Sequence, residues 1–209
     1  TPRTIEGPLY VAGAPVCEGF ARLDDGTEEA EGEILFMDGT VFDHNGKPVP
    51  NATVEVWHAN LKGGYSFFDT TQSEFNLRRT LIADDQGRYI FRSIVPSGYS
   101  CPPNGQTQKL LDQLGRHGHR PAHIHFFVSA EGHAKLTTQI NIDGDPYLWD
   151  DFAFASREGL IPAINKITDP AEIQKRGLDR PFSSIHFDFQ LRPAEAAVTA
   201  EVERPRRAA

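Results

Sequence analysis

Short segments with the alternating pattern of β-strands recur along the chain, and turn signals separate them. Apolar side chains on alternate residues give a strand one face that packs against a core. Strands at this spacing are typical of a two-sheet sandwich. The sequence therefore predicts an all-β, antiparallel β-sandwich with long functional loops and a few short helices. The clearest strand-like segments are residues 34–42, 54–59, 79–83, 88–95, 136–142 and 184–191.

Two of the turn signals predict β-hairpins. Asn45-Gly46 lies between segments 34–42 and 54–59, and a turn ending at Gly87 lies between segments 79–83 and 88–95. Turns of this composition commonly join neighbouring antiparallel strands.

Other stretches predict loops and short helices. Residues 1–29 are expected to be extended and loop-like, and residues 60–76, which show no clean period, are expected to form a functional loop. Helices are predicted within 106–116, where Leu110, Leu111 and Leu114 form one stripe, within 147–160, and from Asp169-Pro170 onward. Neither a repeat nor a second domain is evident, so residues 1–193 are expected to form a single β-sandwich domain. Residues 194–209 are expected to be a disordered tail or a solvated helix.

Composition limits the kinds of partner. The 209 residues carry 21 Lys and Arg against 29 Asp and Glu, a formal net charge of −8. An acidic chain without a basic block argues against binding to nucleic acid or to an anionic membrane, and no segment approaches the ~20 consecutive apolar residues of a membrane span. Cys17 and Cys101 are too few for a disulfide framework and lack zinc-motif spacing. We therefore expect a reducing, cytoplasmic setting.

Two histidines stand one residue apart in the strand-like stretch Arg120-Pro121-Ala122-His123-Ile124-His125. Side chains at positions i and i+2 of a strand lie on the same face, so His123 and His125 point the same way. Two adjacent imidazoles can hold one metal ion. The motif is short, so it fits a metal site and a pair of histidines that make only ordinary hydrogen bonds equally well.

Tyrosines on two loops strengthen the metal hypothesis. Tyr65 follows a double glycine, and Tyr99 follows Pro96-Ser97-Gly98. A single loop tyrosine is more often a packing residue, so the case depends on all four groups together. A phenol, with a pKa of ~10, loses its proton only beside a strong Lewis acid. Two phenolates and two neutral imidazoles favour Fe(III), whereas structural zinc more often brings cysteines.

Four stretches, in this order along the chain, resemble the intradiol ring-cleaving dioxygenases, and the resemblance covers nearly the whole chain to about Arg192. They are Ile5-Glu6-Gly7-Pro8-Leu9-Tyr10, Leu61-Lys62-Gly63-Gly64-Tyr65, Pro96-Ser97-Gly98-Tyr99 and Arg120-Pro121-Ala122-His123-Ile124-His125.

The resemblance implies an enzyme, with residues 1–193 as its catalytic domain. It implies one non-haem Fe(III) per chain, held by Tyr65, Tyr99, His123 and His125. It also implies cleavage of catechol by O2 between the two hydroxylated carbons, which gives cis,cis-muconate. No NAD, flavin or other reductant is expected.

Further roles follow from the resemblance alone. Tyr99 is implied to take a proton from the substrate. Arg120 is implied to lie beside the substrate, where a cation would stabilise charge developing on the ring; otherwise it would form a surface salt bridge. Gln139 is implied to lie near the ring, and otherwise to make a cross-strand hydrogen bond. Apolar pocket walls, which suit a flat aromatic diol, are implied at Ile5, Pro8, Leu9, Phe152 and Ala153.

Several polar residues are not assigned to a site. Asp150-Asp151 could suggest a carboxylate pair for acid–base chemistry, but we expect it to begin a loop or a helix. Five histidines have no partners at ligand spacing and are expected to be structural or exposed: His58, His117, His119, His133 and His186.

Alternatives remain open at this point. The apolar walls favour catechol, but substituted catechols and hydroxyquinol are also possible substrates. Residues 39–52 look like the opening of many non-catalytic β-sandwich binding modules, and a zinc hydrolase could use His123 and His125, although no carboxylate ligand and base accompany them. The family also implies a homodimer formed through an N-terminal helical domain. Because Thr1 lies close to the pocket-wall motif, we expect the chain to be a catalytic-domain fragment or to have lost its N-terminus.

Overall fold

The computed structural model describes residues 1–194, which contain thirteen β-strands, two α-helices and a 3-10 turn at Glu158–Leu160. The predicted tail, residues 194–209, lies outside the described residues except for Ala194. The helices are α1 (Gln106–Gln113) and α2 (Pro170–Lys175). The strands are β1 (Val16–Glu18), β2 (Phe20–Arg22), β3 (Ile34–Phe42), β4 (Thr53–His58), β5 (Arg78–Ile82), β6 (Arg88–Ile94), β7 (Tyr99–Ser100), β8 (His119–Arg120), β9 (His123–Ser129), β10 (Leu136–Asn141), β11 (Asn165–Ile167), β12 (Phe182–His186) and β13 (Phe189–Gln190).

Two sheets enclose one hydrophobic core. The first, called here the β9 sheet, has the strand order β1-β5-β4-β9-β10, and the second, the β3 sheet, has the order β11-β12-β3-β6-β2 with β13 also beside β3. Aromatic side chains join the two layers: the Phe126 ring of β9 lies 6.4 Å from Phe91 of β6 and 5.0 Å from Phe189 of β13. The predicted all-β sandwich is confirmed.

Both predicted hairpins are wrong. β3 and β4 belong to different sheets, and so do β5 and β6. The turns themselves form, because the Asp43 amide donates to the Lys47 carbonyl (2.8 Å) and the Asp84 amide to the Arg88 carbonyl (2.9 Å). Turn chemistry is local, whereas the sheet that the next strand joins depends on which apolar face it buries. Both connections therefore cross from one sheet to the other.

The sheets are mixed rather than purely antiparallel. The long central pairings are antiparallel, but β1 with β5, β2 with β6, and β12 and β13 with β3 are parallel. Two of these strands, β1 and β2, lie within residues 1–29, which were expected to be loop. Each has three residues, too few for an alternating pattern to be visible. The predicted last strand is divided into β12 and β13, both beside β3.

The helices follow their local signals. The Asp169 side chain accepts a hydrogen bond from the Ala171 amide (3.0 Å), which caps α2 just before Pro170. In α1 only Leu111 of the predicted stripe is buried. The helix expected within 147–160 is reduced to the 3-10 turn. Within residues 1–194, no helix is both long enough and apolar enough to cross a membrane.

The division of the last strand predicts a glycine requirement. A Cβ at Gly39 would overlap the Phe187 carbonyl and lie 3.0 Å from the Tyr89 hydroxyl. We expect Gly39→Ala to lower the free energy of unfolding by about 1–3 kcal/mol, because the backbone between β12 and β13 must shift. Urea unfolding measures this. In the control Gly159→Ala the new Cβ meets only the Pro2 ring, at 3.5 Å or more, so equal losses in the two variants would contradict the prediction.

Candidate metal centre

The two histidines of β9 lie on the outer face of the β9 sheet, since the residues that alternate with them join the core cluster. Cross-strand pairing aligns Arg78 of β5, Trp57 of β4, His125 of β9 and Gln139 of β10 in one row. Directly opposite residues share a face of the sheet. The Trp57 ring stacks on the His125 imidazole, with centroids 4.9 Å apart and planes at 6°. This row forms the floor of the site.

The imidazoles of His123 and His125 face each other, with their Nε2 atoms 3.1 Å apart. His123 Nδ1 lies 2.7 Å from the Pro121 carbonyl. This contact needs a proton on Nδ1 and leaves Nε2 unprotonated, with a lone pair that can accept a hydrogen bond or bind a metal. Burial, followed by the nearby Arg120 cation, lowers the pKa of His123 to about 3. Burial and then His123 lower the pKa of His125 well below its usual value. Both rings are therefore neutral, as metal ligation requires.

Both predicted tyrosines reach these imidazoles from loops. The Tyr65 hydroxyl lies 3.5 Å from His123 Nε2, and the Tyr99 ring lies 5.6 Å from the His123 ring. The two tyrosine rings meet edge to face at 5.6 Å. Tyr65 is 3% exposed, and its burial, together with the neighbouring Tyr99, raises the pKa of its phenol well above the usual value. The structure thus brings together all four predicted ligand side chains.

Two glycines allow the tyrosine loops to close over the sheet. Gly63 has a φ of +79°, and a Cβ there would lie 2.7 Å from the Tyr99 Cβ. A Cβ at Gly98 would lie 2.6 Å from the Arg120 carbonyl oxygen. Both approaches are too close for a side chain, so these positions require glycine. In addition, Tyr99 of β7 pairs with Arg120 of β8, which places the second tyrosine beside the arginine.

Arg120 is 4% exposed and connects the site to a buried acid. Its Nη1 lies 3.1 Å from His123 Nε2, and its Nη2 donates to Gln139 Oε1 at 3.0 Å. Its Nε and Nη2 donate to the two carboxylate oxygens of Asp151, at 3.2 and 3.1 Å. Arg120 therefore forms a buried ion pair and not a surface salt bridge.

Asp151 is a site residue that the sequence did not reveal. Its carboxylate also accepts hydrogen bonds from the amides of Ala153 (3.0 Å) and Ala155 (3.1 Å). Burial opposes ionisation, but Arg120 and these amides hold the pKa of Asp151 below its usual value. We expected Asp150-Asp151 only to begin a loop or a helix. Asp151 and Arg120 are 31 residues apart, and no local motif links them.

A second buried arginine lies at the opposite end of the floor row. The Arg78 guanidinium carbon lies 5.7 Å from the centroid of the Tyr65 ring. Burial lowers the pKa of Arg78 to about 10, and the nearby Tyr65 opposes that shift. Arg78 was not singled out in the sequence, because only its cross-strand register places it near the site.

The remaining predicted site residues lie around this centre. Leu9 packs against the cluster that contains Tyr65, and Gln139 bonds to both Arg120 and Asn141. Ile5 and Pro8 are exposed, whereas Phe152 and Ala153 directly follow Asp151 and are half-buried. Their contacts with substrate stay predictions. The five histidines left unassigned all have other polar partners: His58 with Ser93, His117 with Asp150, His119 with Ser100, His133 with the Glu131 carbonyl, and His186 with Asp38.

The donor set fits a hard trivalent cation. Two neutral imidazole nitrogens and the phenol of Tyr65 converge within 3.5 Å, with the Tyr99 ring beside them. The structure shows no group of three or more His, Cys, Asp or Glu suited to a metal anywhere in residues 1–194, so a metal at the two imidazoles would depend on tyrosine oxygen. Phenolate oxygen is a hard ligand that needs a strong Lewis acid.

Comparison with known proteins identifies the family of this chain. A family model described as dioxygenase matches residues 5–193. The chain belongs to the intradiol dioxygenase family. This confirms the resemblance carried by the four sequence motifs. Among curated members, catechol 1,2-dioxygenase 2 of Acinetobacter lwoffii is 69% identical over 175 residues, 84% of this chain. The catechol 1,2-dioxygenase of Acinetobacter baylyi is 57% identical over 209 residues, 99% of this chain.

A solved intradiol dioxygenase structure shares the fold. Wild-type catechol 1,2-dioxygenase of Acinetobacter radioresistens superposes with a TM-score of 0.92 and 59% identity, covering 98% of this chain and 66% of that one. The chain spans 62% of the A. lwoffii relative and 67% of the A. baylyi relative.

The Arg120–Asp151 pair predicts a large loss of stability when the acid is neutralised. The side chains are 4% and 1% exposed. We expect Asp151→Asn to lower the free energy of unfolding by about 3–5 kcal/mol, because it leaves a buried cation without its anion. Denaturant unfolding tests this. Asp150→Asn is the control, since the Asp150 side chain is 77% exposed and its loss should cost under about 1 kcal/mol. Similar values for both variants would contradict the prediction.

A buried histidine beside the site predicts sensitivity to acid. Burial lowers the pKa of His58 from 6.5 to about 4. The unfolded chain therefore binds a proton that the folded chain does not, and stability is lost as the pH falls from 6.5 to about 4. Over this range the free energy of unfolding falls by about 1.4 kcal/mol for each pH unit.

We expect the His58→Gln variant, whose side chain can still bond to Ser93, to lack the loss of unfolding free energy that His58 contributes as the pH falls from 6.5 to about 4. Above pH 6.5 the two proteins should show the same pH dependence. Free energies of unfolding measured across this range check the result, and an unchanged slope in the variant would contradict it.

Proposed function

We propose that this chain cleaves catechol with O2 between its two hydroxylated carbons to give cis,cis-muconate. The observation that carries the proposal is the convergence of two tyrosines and two neutral histidines beside a buried arginine. The identity of 57% to 69% with catechol 1,2-dioxygenases supports the choice of reaction.

Tyr65, Tyr99, His123 and His125 would hold one non-haem Fe(III). Bound there, Fe(III) would act as a Lewis acid that activates the catechol ring toward O2, so no NAD, flavin or other reductant is needed. The lone pair on His123 Nε2 and the Tyr65 hydroxyl both face this position.

Tyr99 is the proposed proton acceptor. It is half-buried, whereas Tyr65 is fully buried, so Tyr99 is the tyrosine that an incoming diol can reach. Its Oη would receive a proton from one catechol hydroxyl, which requires direct or water-mediated contact. The backbone pairing of Tyr99 with Arg120 keeps this tyrosine beside the arginine.

Arg120 would stabilise negative charge that develops on the substrate ring. A preorganised cation in a buried site acts strongly, because little water screens it and it does not reorganise during the reaction. Asp151 holds the Nε edge of the guanidinium and Gln139 holds Nη2. Gln139 thereby orients Arg120, which leaves Nη1 directed at the centre.

The proposed pocket walls favour an unsubstituted diol. They are apolar, and none offers the basic group that would bind a ring carboxylate. Alkyl- or chloro-substituted catechols and hydroxyquinol are the alternative substrates, since a methyl-sized change in a wall is worth only ~1–3 kcal/mol. Relative kcat/KM values on these compounds rank them. The proposed walls are Ile5, Pro8, Leu9, Phe152 and Ala153.

The wider setting is also a proposal. Residues 1–193 would act as one catalytic domain, and the family match over residues 5–193 supports this. Both cysteines are free, which agrees with a cytoplasmic location. The homodimer implied by the resemblance stays a prediction.

Colour and product test the proposal together. Phenolate bound to Fe(III) gives a strong visible charge-transfer band, so the purified protein should be wine-red. In air, with catechol and no reductant, it should form cis,cis-muconate that contains both atoms of labelled O2. Tyr65→Phe and Tyr99→Phe should each weaken the band and the rate, because each removes one phenolate ligand.

Tyr89→Phe is the matched control, since Tyr89 belongs to β6 of the β3 sheet and its hydroxyl donates to the Phe187 carbonyl. This variant should keep both colour and rate. A colourless protein with stoichiometric zinc would contradict the proposal and favour a hydrolase. A protein that takes up no metal and binds a ligand without converting it would favour a non-catalytic binding module.

A further inference from the structure

Arg78 differs from the other buried arginines because it has no carboxylate partner. It is 1% exposed. Arg120 pairs with Asp151, and Arg92, which is 8% exposed, pairs with Glu29. In the part of the chain that the structure describes, Arg78 takes part in none of the ion pairs, and its Nη1 has no hydrogen-bond partner. A buried charge without an anion is costly, so its presence calls for an explanation.

The contacts of Arg78 lead to the loop that carries Tyr65. Its Nε donates to Ser66 Oγ at 2.8 Å, and its Nη2 donates to the Ser66 carbonyl at 3.1 Å. The guanidinium carbon lies 5.7 Å from the Tyr65 ring and 6.0 Å from the Phe67 ring. Arg78 therefore binds the residue after Tyr65 and lies over the tyrosine ring itself.

The backbone at this point needs support. Phe67 has a φ of +71°, in the left-handed region that bulky side chains rarely adopt. Such a conformation persists only where surrounding contacts hold it. The two Arg78 hydrogen bonds hold Ser66, the residue before the strained position, and the guanidinium lies over the Phe67 ring itself.

We propose that Arg78 is a positioning residue for Tyr65. Its two hydrogen bonds to Ser66 restrain the loop. Its positive charge stabilises the negative charge that the Tyr65 oxygen carries when it binds Fe(III). The inference rests on the proposed function, since only a bound phenolate supplies the anion that the structure otherwise lacks. A neutral side chain could hold Ser66, but it could not supply the charge.

Two substitutions separate charge from restraint, in the full chain loaded with iron. Arg78→Met removes both. The loss of a cation beside the phenolate raises the energy of its electrons, so the charge-transfer band should move to longer wavelength. Arg78→Lys keeps the charge but loses the two-pronged contact with Ser66. Its band maximum should stay near that of the unchanged protein. Both variants should bind iron about 10- to 100-fold more weakly in competition with a chelator.

Arg79 provides the matched control. It is the next residue in β5, is half-buried, and donates only to the carbonyls of Phe75 and Arg78. Arg79→Met and Arg79→Lys should keep the band maximum and the iron affinity.

The outcomes distinguish the two proposals. A red, active starting protein whose Arg78 variants match the Arg79 variants in band and iron affinity would overturn the role of Arg78 alone. Equal band shifts in Arg78→Met and Arg78→Lys would show that charge is not the cause and would also overturn it. If Arg78→Met does not fold, Arg78→Lys decides, and an unchanged iron affinity in that variant refutes the proposal. A colourless starting protein would instead overturn the proposed function, and the role of Arg78 with it.

Discussion

The structure of the site depends on two imidazole Nε2 atoms held 3.1 Å apart on one strand. His123 and His125 are both buried and neutral. Their Nε2 atoms can therefore face each other without repulsion between two positive charges. Stacking on Trp57 holds one ring, and the bond to the Pro121 carbonyl holds the other. The sandwich behind β9 keeps this pair rigid, because the residues alternating with them are packed into its core.

Two buried cations flank this pair, and they differ in their partners. Arg120 is neutralised by Asp151 and aimed by Gln139, so its charge is part of a complete network within the protein. Arg78 lacks such an anion, and its charge lies over Tyr65. The difference agrees with two roles: Arg120 would face the substrate, while Arg78 would face a ligand of the metal. Cross-strand register places Arg78 at the site, whereas Arg120 precedes His123 by three residues in the same stretch of chain.

Local chemistry predicted much of the architecture but not its connections. The apolar alternation located the central strands, and the Asp169 cap located α2. The turns after β3 and β5 formed as their residues predicted, yet neither joined two strands of one sheet. The decision between a hairpin and a crossing lies in which apolar face each strand buries, and that depends on partners far along the chain. The strands β1 and β2 were missed because three residues carry no readable period.

By itself, the sequence determined the all-β class, the family, and the four side chains that meet at the site. The i, i+2 spacing places His123 and His125 on one face of a strand, while the two tyrosines and the family followed from the resemblance of the four motifs to the intradiol dioxygenases. Only the tertiary structure decided the supporting contacts. The Asp151 carboxylate lies against Arg120, and the Arg78 guanidinium lies over the Tyr65 ring, because the fold brings loop and strand together. Buried charges find their partners in space, and no local pattern records a partner 31 residues away.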